Sequence, residues 1–394
     1  MSPADKPFSA REPSGPERAM RLVGGRAVLL LLLAVPWPGR AAEPGGARSP
    51  ESAAPGAVSS PSPPGQPAAG FGGAAYAHAS LRVETLGAGG AQVRVFTPAG
   101  PDPAAPAPLV IFLHGWAAMD PHPYGAWIRH LVRRGNVVFY PRYQAGLGTL
   151  HWSFTPGMVA GVRAGLERLG KEGAARVDRS RVAVVGHSMG AVLAMQYAAL
   201  AAKEGLPAAK AVFCIEPGSA EQWNPRLAFP LADLAAIPKG TLVLVAAGDR
   251  DTFVGEAMAR KLWGMLGHLP AEDRDYVLFR SDDHGRPALV ADHFFPLAPD
   301  ASILSAAASS GGGEAKAEGR PLSGAQAGID ALDYRGAWRL FDALMHAAFT
   351  GEGREQCLGG TAAQKDMGAW SDGTAVKALE VTDEPEGRGG GVGR

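Results

Sequence analysis

The stretch "VAVVGHSMGAVLAMQYAALAA" (residues 182–202) joins a β-branched apolar run to a run of small, helix-favouring residues, with one serine between two glycines at the junction. The first part reads as a strand buried on both faces, the second as a helix. Gly186-His187-Ser188-Met189-Gly190 therefore matches G-x-S-x-G in the strand–turn–helix setting the motif requires. The glycines have a steric reason. A serine on so tight a turn brings side chains two positions away, on either side, into the adjoining strand and helix. The N-terminus of the following helix favours negative charge beside the serine. Ser188 is the candidate nucleophile, and the question becomes what surrounds it.

Outward from this point the chain alternates. "SLRVETL" (80–86) and "AQVRVFTP" (91–98) read as a hairpin. The apolar runs "PLVIFLHGW" (108–116), "GNVVFYPRY" (135–143), "AKAVFCIEPG" (209–218), "TLVLVAAGDRD" (241–251) and "DYVLFRSDD" (275–283) read as further buried strands. Helical patterns fall between them, near 124–134, 157–171, 189–203 and 254–267. A last helix is expected over Tyr334–Phe349, with Trp338, Phe341, Leu344, Met345 and Ala348 on one stripe. The alternation implies an α/β fold, a mostly parallel central sheet with helices on both faces. The connection between "CIEPG" and "TLVLVAAG" is too short for a large cap domain, so an open cleft is expected.

The remainder of the chain bounds the reading. Its 394 residues, 46% hydrophobic, suffice for a sizeable core, and the formal net charge of zero argues against a nucleic-acid partner. Arg18, Arg21 and Arg26 precede the apolar run Ala27–Val35, and Gly39-Arg40-Ala41 follows Pro36 and Pro38. This is the pattern of a cleavable export leader over 1–41 rather than a stable membrane anchor. A periplasmic or extracellular protein is expected, as a monomer. Residues 42–75, rich in Pro, Gly, Ala and Ser, read as a disordered linker, 381–394 as a disordered tail, and 305–324 as a low-complexity surface insertion in a domain over 76–380. Two cysteines, Cys214 and Cys357, give neither a disulfide framework nor a zinc pattern.

In such sheets a site forms beyond the carboxyl ends of the strands. A serine needs a base, and the base an orienting acid, in the chain order Ser, acid, His. After "VLVAAG" come Asp249 and Asp251. Asp251 heads the turn into the next helix and is preferred. Asp249 and Glu216, at the end of "CIEPG", are alternates. After the last strand stand His284, beside two aspartates, and His293, beside Phe294, Phe295 and Pro296. Only geometry separates these two. The oxyanion hole requires two backbone N–H groups. Met189 is one and Trp116, with Ala117 as alternate, the other. His114 and His187 read as bystanders. Trp116, Trp152, Phe154, Trp223 and Phe294 are candidate cleft walls. Asp249, Asp251, Asp282, Asp283 and Asp292 gather near His293 without a calcium-loop spacing, so solvated loops and no metal or cofactor are expected.

With "HGW", "GHSMG" and "GDRDTFV" in order, the chain resembles the α/β-hydrolase superfamily over about residues 80–350. Within it the chain looks most like bacterial cutinase, polyester-hydrolase and dienelactone-hydrolase-like serine esterases. There methionine commonly follows the nucleophile, an aromatic follows the oxyanion-loop glycine, and the base stands in a His-Phe-x-Pro setting. Met189, Trp116 and His293–Pro296 match these. The resemblance implies Ser188, Asp251 and His293 as triad, cleavage of small or polymeric carboxylic esters, and His293 over His284. The low-complexity insertion, "MGAWSDGTAVKALEV" (367–381) and the cysteine positions depart from the cutinase pattern. A peptidase or amidase, with Glu216 as amine-binding carboxylate, and a non-catalytic binding protein on the same scaffold are the alternatives.

Overall fold

Strand-forming runs of Val, Ile, Leu and Phe organise the domain. The computed structural model describes residues 60–100, 105–173, 175–222, 224–303 and 328–385. The stretches expected as an export leader (1–41) and a surface insertion (305–324), together with Trp223, lie outside the described residues.

Among the described residues nine strands form one sheet: β1 (Ser80–Leu86), β2 (Val93–Ala99), β3 (Ala107–Leu113), β4 (Val137–Pro141), β5 (Val177–His187), β6 (Ala211–Ile215), β7 (Leu242–Gly248), β8 (Arg274–Phe279) and β9 (Glu380–Thr382). Their order is β1-β2-β4-β3-β5-β6-β7-β8-β9. The six central strands from β4 to β8 run parallel, while β1, β2 and β9 pair antiparallel at the two edges. The central strands are buried nearly throughout, which is why they read as continuous apolar runs rather than as alternating ones.

Helices α1 (Gly125–Arg133), α2 (Phe154–Leu169), α3 (Met189–Leu200), α4 (Ala257–Gly264) and α5 (Trp338–Thr350) cover the sheet. Two apolar clusters result, one per face. Trp127, Phe112, Phe213, Phe341 and Leu344 belong to the first. Val184, Leu193, Phe154, Cys214 and Trp263 belong to the second. Helix α3 is apolar all round because it packs against β3, β5 and β6 while α2 lies over it. A π-helical turn, Leu332–Ala337, leads into α5, so the helical run begins two residues before the expected start at Tyr334. Among the described residues the elements between β6 and β7 are short 3-10 turns, Ala220–Gln222, Pro225–Leu227 and Leu234–Ala236. No cap domain stands there among the described residues.

Two expected boundaries need correction. Residues 60–75, read as linker, lie on the domain. Their backbone is satisfied by distant groups: Gly72 N–H donates to Asp342 (2.8 Å), the Tyr334 hydroxyl donates to the Pro64 carbonyl (2.8 Å), and Arg286 N–H donates to the Pro61 carbonyl (2.8 Å). Asp342 also accepts from His130 (2.9 Å) and Arg134 (3.2 Å), so one buried carboxylate fixes this strap to α1 and α5. At the other end β9 carries the sheet into the expected tail, over 380–382.

Candidate active site

The turn between β5 and α3 is dictated by crowding. Ser188 is the N-cap residue of α3 and adopts φ 57°, ψ −123°, a conformation rarely open to non-glycine residues. A Cβ on Gly186 would stand 2.0 Å from the Gly190 carbonyl oxygen, and one on Gly190 2.1 Å from the Leu113 carbonyl oxygen. Both contacts are backbone and cannot yield. Strain of this kind persists only where the surroundings over-determine it, and it holds the serine at the carboxyl edge of the sheet.

The His293 ring lies between the serine and a carboxylate. Nε2 is 3.0 Å from Ser188 Oγ, and Nδ1 is 2.8 Å from Asp251 Oδ2. The other Asp251 oxygen accepts from the N–H groups of Phe253 and Val254, both at 2.8 Å, which fixes the carboxylate's orientation. Burial raises the Asp251 carboxyl. The hydrogen bond and charge of His293 and a hydrogen bond with Glu216 outweigh it, taking the group down to about 2. It is an anion at neutral pH.

Two of the alternates, His284 and Asp249, point elsewhere, and the third, Glu216, lies behind Asp251. His284 pairs with Asp372 (2.8 Å) on the surface. Asp249 accepts from Ser281 N–H (2.9 Å), the Ser281 hydroxyl (2.6 Å) and Arg280 (3.2 Å), and braces the loop after β8. Glu216 is fully buried beside Asp251 and His293, with one ligand atom of each within 4.8 Å of the others. Without exposed surface it has no access to a substrate amine. Asp282 and Asp283, weighed as calcium ligands, are engaged by Trp370 and Lys377 and by Arg250 respectively.

On the other side of the serine, the loop after β3 approaches closely: a Cβ on Gly115 would lie 3.4 Å from Ser188 Cβ. Met189 is the first residue of α3, so its N–H has no acceptor within the helix. Trp116 stands at the loop's crest, 36% exposed. Ala117 is displaced from the alternate oxyanion role, because its N–H donates to Gln144 Oε1 (2.9 Å). His114 braces the same loop, its ring stacked on Tyr143 at 4.1 Å and its nitrogens against the Gly115 and Arg142 carbonyls.

His187 is no bystander. Gly115 N–H donates to the Tyr124 hydroxyl oxygen (2.9 Å), the Tyr124 O–H faces His187 Nδ1 (2.7 Å), and His187 Nε2 faces the His293 carbonyl (2.8 Å). Only one proton placement satisfies this chain. Tyr124 donates to Nδ1, and Nε2–H donates to the carbonyl. Burial, with the His293 charge second, lowers His187 to about 3, so the ring is neutral as that placement requires. One row of hydrogen bonds thus ties the loop beside Ser188 to the backbone of His293. The x position of G-x-S-x-G gave no sign of it.

Aromatic side chains lie against the base. Phe253 is exposed, its ring tilted against those of His293 (5.0 Å) and Phe294 (5.6 Å), and Trp152, on the loop after β4, is 58% exposed. Phe154 is core rather than wall. Phe253 was missed by sequence reading, although it stands two residues from Asp251.

The sequence profile of the alpha/beta hydrolase fold family matches residues 110–251, from β3 through the loop beside Ser188 to Asp251. No curated protein matches the chain. With the nine-stranded sheet, the match gives this chain the α/β-hydrolase fold and supports a hydrolase built on it.

Proposed function

We propose that this chain, with its α/β-hydrolase fold, is a serine hydrolase that cleaves carboxylic esters through a Ser188–His293–Asp251 triad. The carrying observation is the imidazole held 3.0 Å from Ser188 Oγ and 2.8 Å from Asp251 Oδ2. As Ser188 Oγ attacks the acyl carbon, His293 Nε2 takes its proton. Asp251 holds the ring so that Nε2 is the free acceptor and stabilises the imidazolium that forms. The tetrahedral oxyanion is bound by the N–H groups of Met189 and Trp116, each such donor being worth roughly 3–4 kcal/mol in the transition state. His293 then protonates the leaving alcohol, and water, activated by the same ring, releases the acyl group.

The exposed Phe253 beside His293 and Phe294, with the exposed Trp116 next to the Gly115 loop, suits an acyl or alcohol group with apolar surface. An ester is favoured over a peptide because Glu216, the one carboxylate considered for an amine, has no exposed surface. The leader pattern over 18–41 supports export. Hydrolysis of short-chain nitrophenyl esters by the wild type, abolished in Ser188→Ala, is the expected result. Activity that survives the substitution would refute the reading.

A further inference from the structure

Glu216 is the one group in the cluster to which the triad gives no task. It follows β6 directly, its N–H donates to the Ala246 carbonyl (2.8 Å), and it takes φ 49°, an unfavourable backbone conformation for a side-chain-bearing residue. The side chain is wholly buried, and neither carboxyl oxygen accepts a hydrogen bond from the described residues. Space is reserved for it: a Cβ on Gly248 would lie 2.6 Å from Glu216 Oε1. What it meets is another carboxylate, that of Asp251, with an oxygen of each and a His293 ring nitrogen all within 4.8 Å of one another.

Two buried carboxylates cannot face each other as anions, because an acceptor then meets an acceptor in a medium of low dielectric. Asp251 is the one that stays charged. It has three N–H donors, from Phe253, Val254 and His293, whereas the one backbone donor facing Glu216 is Gly248 N–H, and neither Glu216 oxygen has a partner in full hydrogen-bond geometry. We infer that Glu216 is a neutral carboxylic acid that donates its proton as a hydrogen bond to the Asp251 carboxylate, making it a positioning residue for the triad's acid. The inference rests on the triad reading and extends it. Glu216 Oε–H lies against an Asp251 oxygen, the proton stays on Glu216, and no charge is added beside His293. Burial, then the charge of Asp251 and the hydrogen bond with it, holds the Glu216 carboxyl well above the usual range against a smaller downward pull from Gly248 N–H, with Asp292 acting in the upward sense. The nearby Tyr276 hydroxyl donates to Glu256 (2.9 Å). A charged Glu216 would be a second anion beside the imidazolium. A neutral one locks Asp251 in place without altering that balance.

Among the described residues Glu216 is the only glutamate with a buried side chain, which makes it directly observable. In protein labelled with 13C-glutamate, one carboxyl resonance is expected at the protonated position at pH 7, absent from Glu216→Gln. If every glutamate resonates as carboxylate, the inference is overturned, whether or not the protein hydrolyses esters. Activity gives a second, independent reading. Glu216→Gln keeps a neutral donor, so kcat/KM should stay within about threefold of wild type, well short of the roughly tenfold or greater loss expected when a hydrogen bond to a charged group is removed, with the acid limb of its pH profile in place. Glu216→Leu removes the donor, leaves Asp251 more basic, and should move that limb to higher pH. A limb moved to lower pH in Glu216→Gln would mean that a negative charge had been removed, and would also overturn it.

Discussion

Replacing Asp251 by asparagine tests the orientation of the base by removing one charge and almost no volume. The structure fixes how the new amide must sit. The Asp251 oxygen facing Phe253 and Val254 accepts two backbone N–H groups at 2.8 Å. Turning the NH2 group toward them would strand two buried donors, at about 1–3 kcal/mol each. The amide oxygen therefore stays there, and the NH2 group faces His293 Nδ1. That nitrogen must then accept, which places the ring proton on Nε2, facing Ser188 Oγ. A ring with Nε2 protonated cannot take the serine's proton. The loss expected from the wrong tautomer is about 10^4-fold in kcat, near 5 kcal/mol of transition-state stabilisation. Steady-state hydrolysis of a short-chain nitrophenyl ester measures it, with circular dichroism and urea unfolding to establish that the variant folds. A folded Asp251→Asn enzyme within tenfold of wild-type kcat/KM would show that the base is oriented by something else.

Three further outcomes follow from the packing around the serine. Gly190→Ala forces a methyl group to within 2.1 Å of the Leu113 carbonyl and 2.4 Å of that of His114, and should cost at least about 1–3 kcal/mol. A urea midpoint equal to wild type would contradict this. Tyr124→Phe leaves Gly115 N–H and His187 Nδ1 without their partner. It should destabilise by about 1–3 kcal/mol and lower kcat, and a variant unchanged in both would remove the linking role of that chain. The third concerns pH. His187 is neutral when folded, at about 3, while the unfolded chain takes up its proton near the ordinary histidine value of 6.5. The unfolded state thus binds more protons in this window, so the contribution of His187 to stability is lost as pH falls from about 6.5 toward 3. The stability difference between wild type and His187→Asn should shift against wild type by about 2 kcal/mol between pH 7 and pH 5. A difference independent of pH would show that the ring is not buried as a neutral donor and acceptor.

The elbow and the sheet were legible because local sterics decide them. A β-branched run, Gly186 and Gly190 around Ser188, and a helix of small residues leave little choice of backbone. Asp251 was legible for a related reason, since its side chain organises its own turn. The choice between His284 and His293 was not legible from the residues themselves, because both follow β8 and nothing local says which ring returns to the serine. It is made by tertiary pairing. Asp282 and Leu289 bridge, and the intervening loop carries His284 outward to Asp372. Ala291 is then pinned by the Ser281 hydroxyl and by Arg250 N–H, which returns His293 to the serine. The strap over 60–75 misled for the opposite reason. Its Pro, Gly and Ser composition offers few large apolar side chains, yet its backbone groups are satisfied by Asp342 and Tyr334, some 270 residues further along the chain. No local pattern carries that information. The tasks of His187 and Glu216 were equally hidden, since both depend on groups that only folding brings together.

The most direct test is to treat the protein with a fluorophosphonate and locate the adduct by mass spectrometry. Stoichiometric modification of Ser188 is expected in the wild type, with none in Ser188→Ala and a rate reduced by orders of magnitude in His293→Ala. Folded wild-type protein that carries no adduct on Ser188, or labels equally fast without the imidazole, would contradict an activated serine at this site.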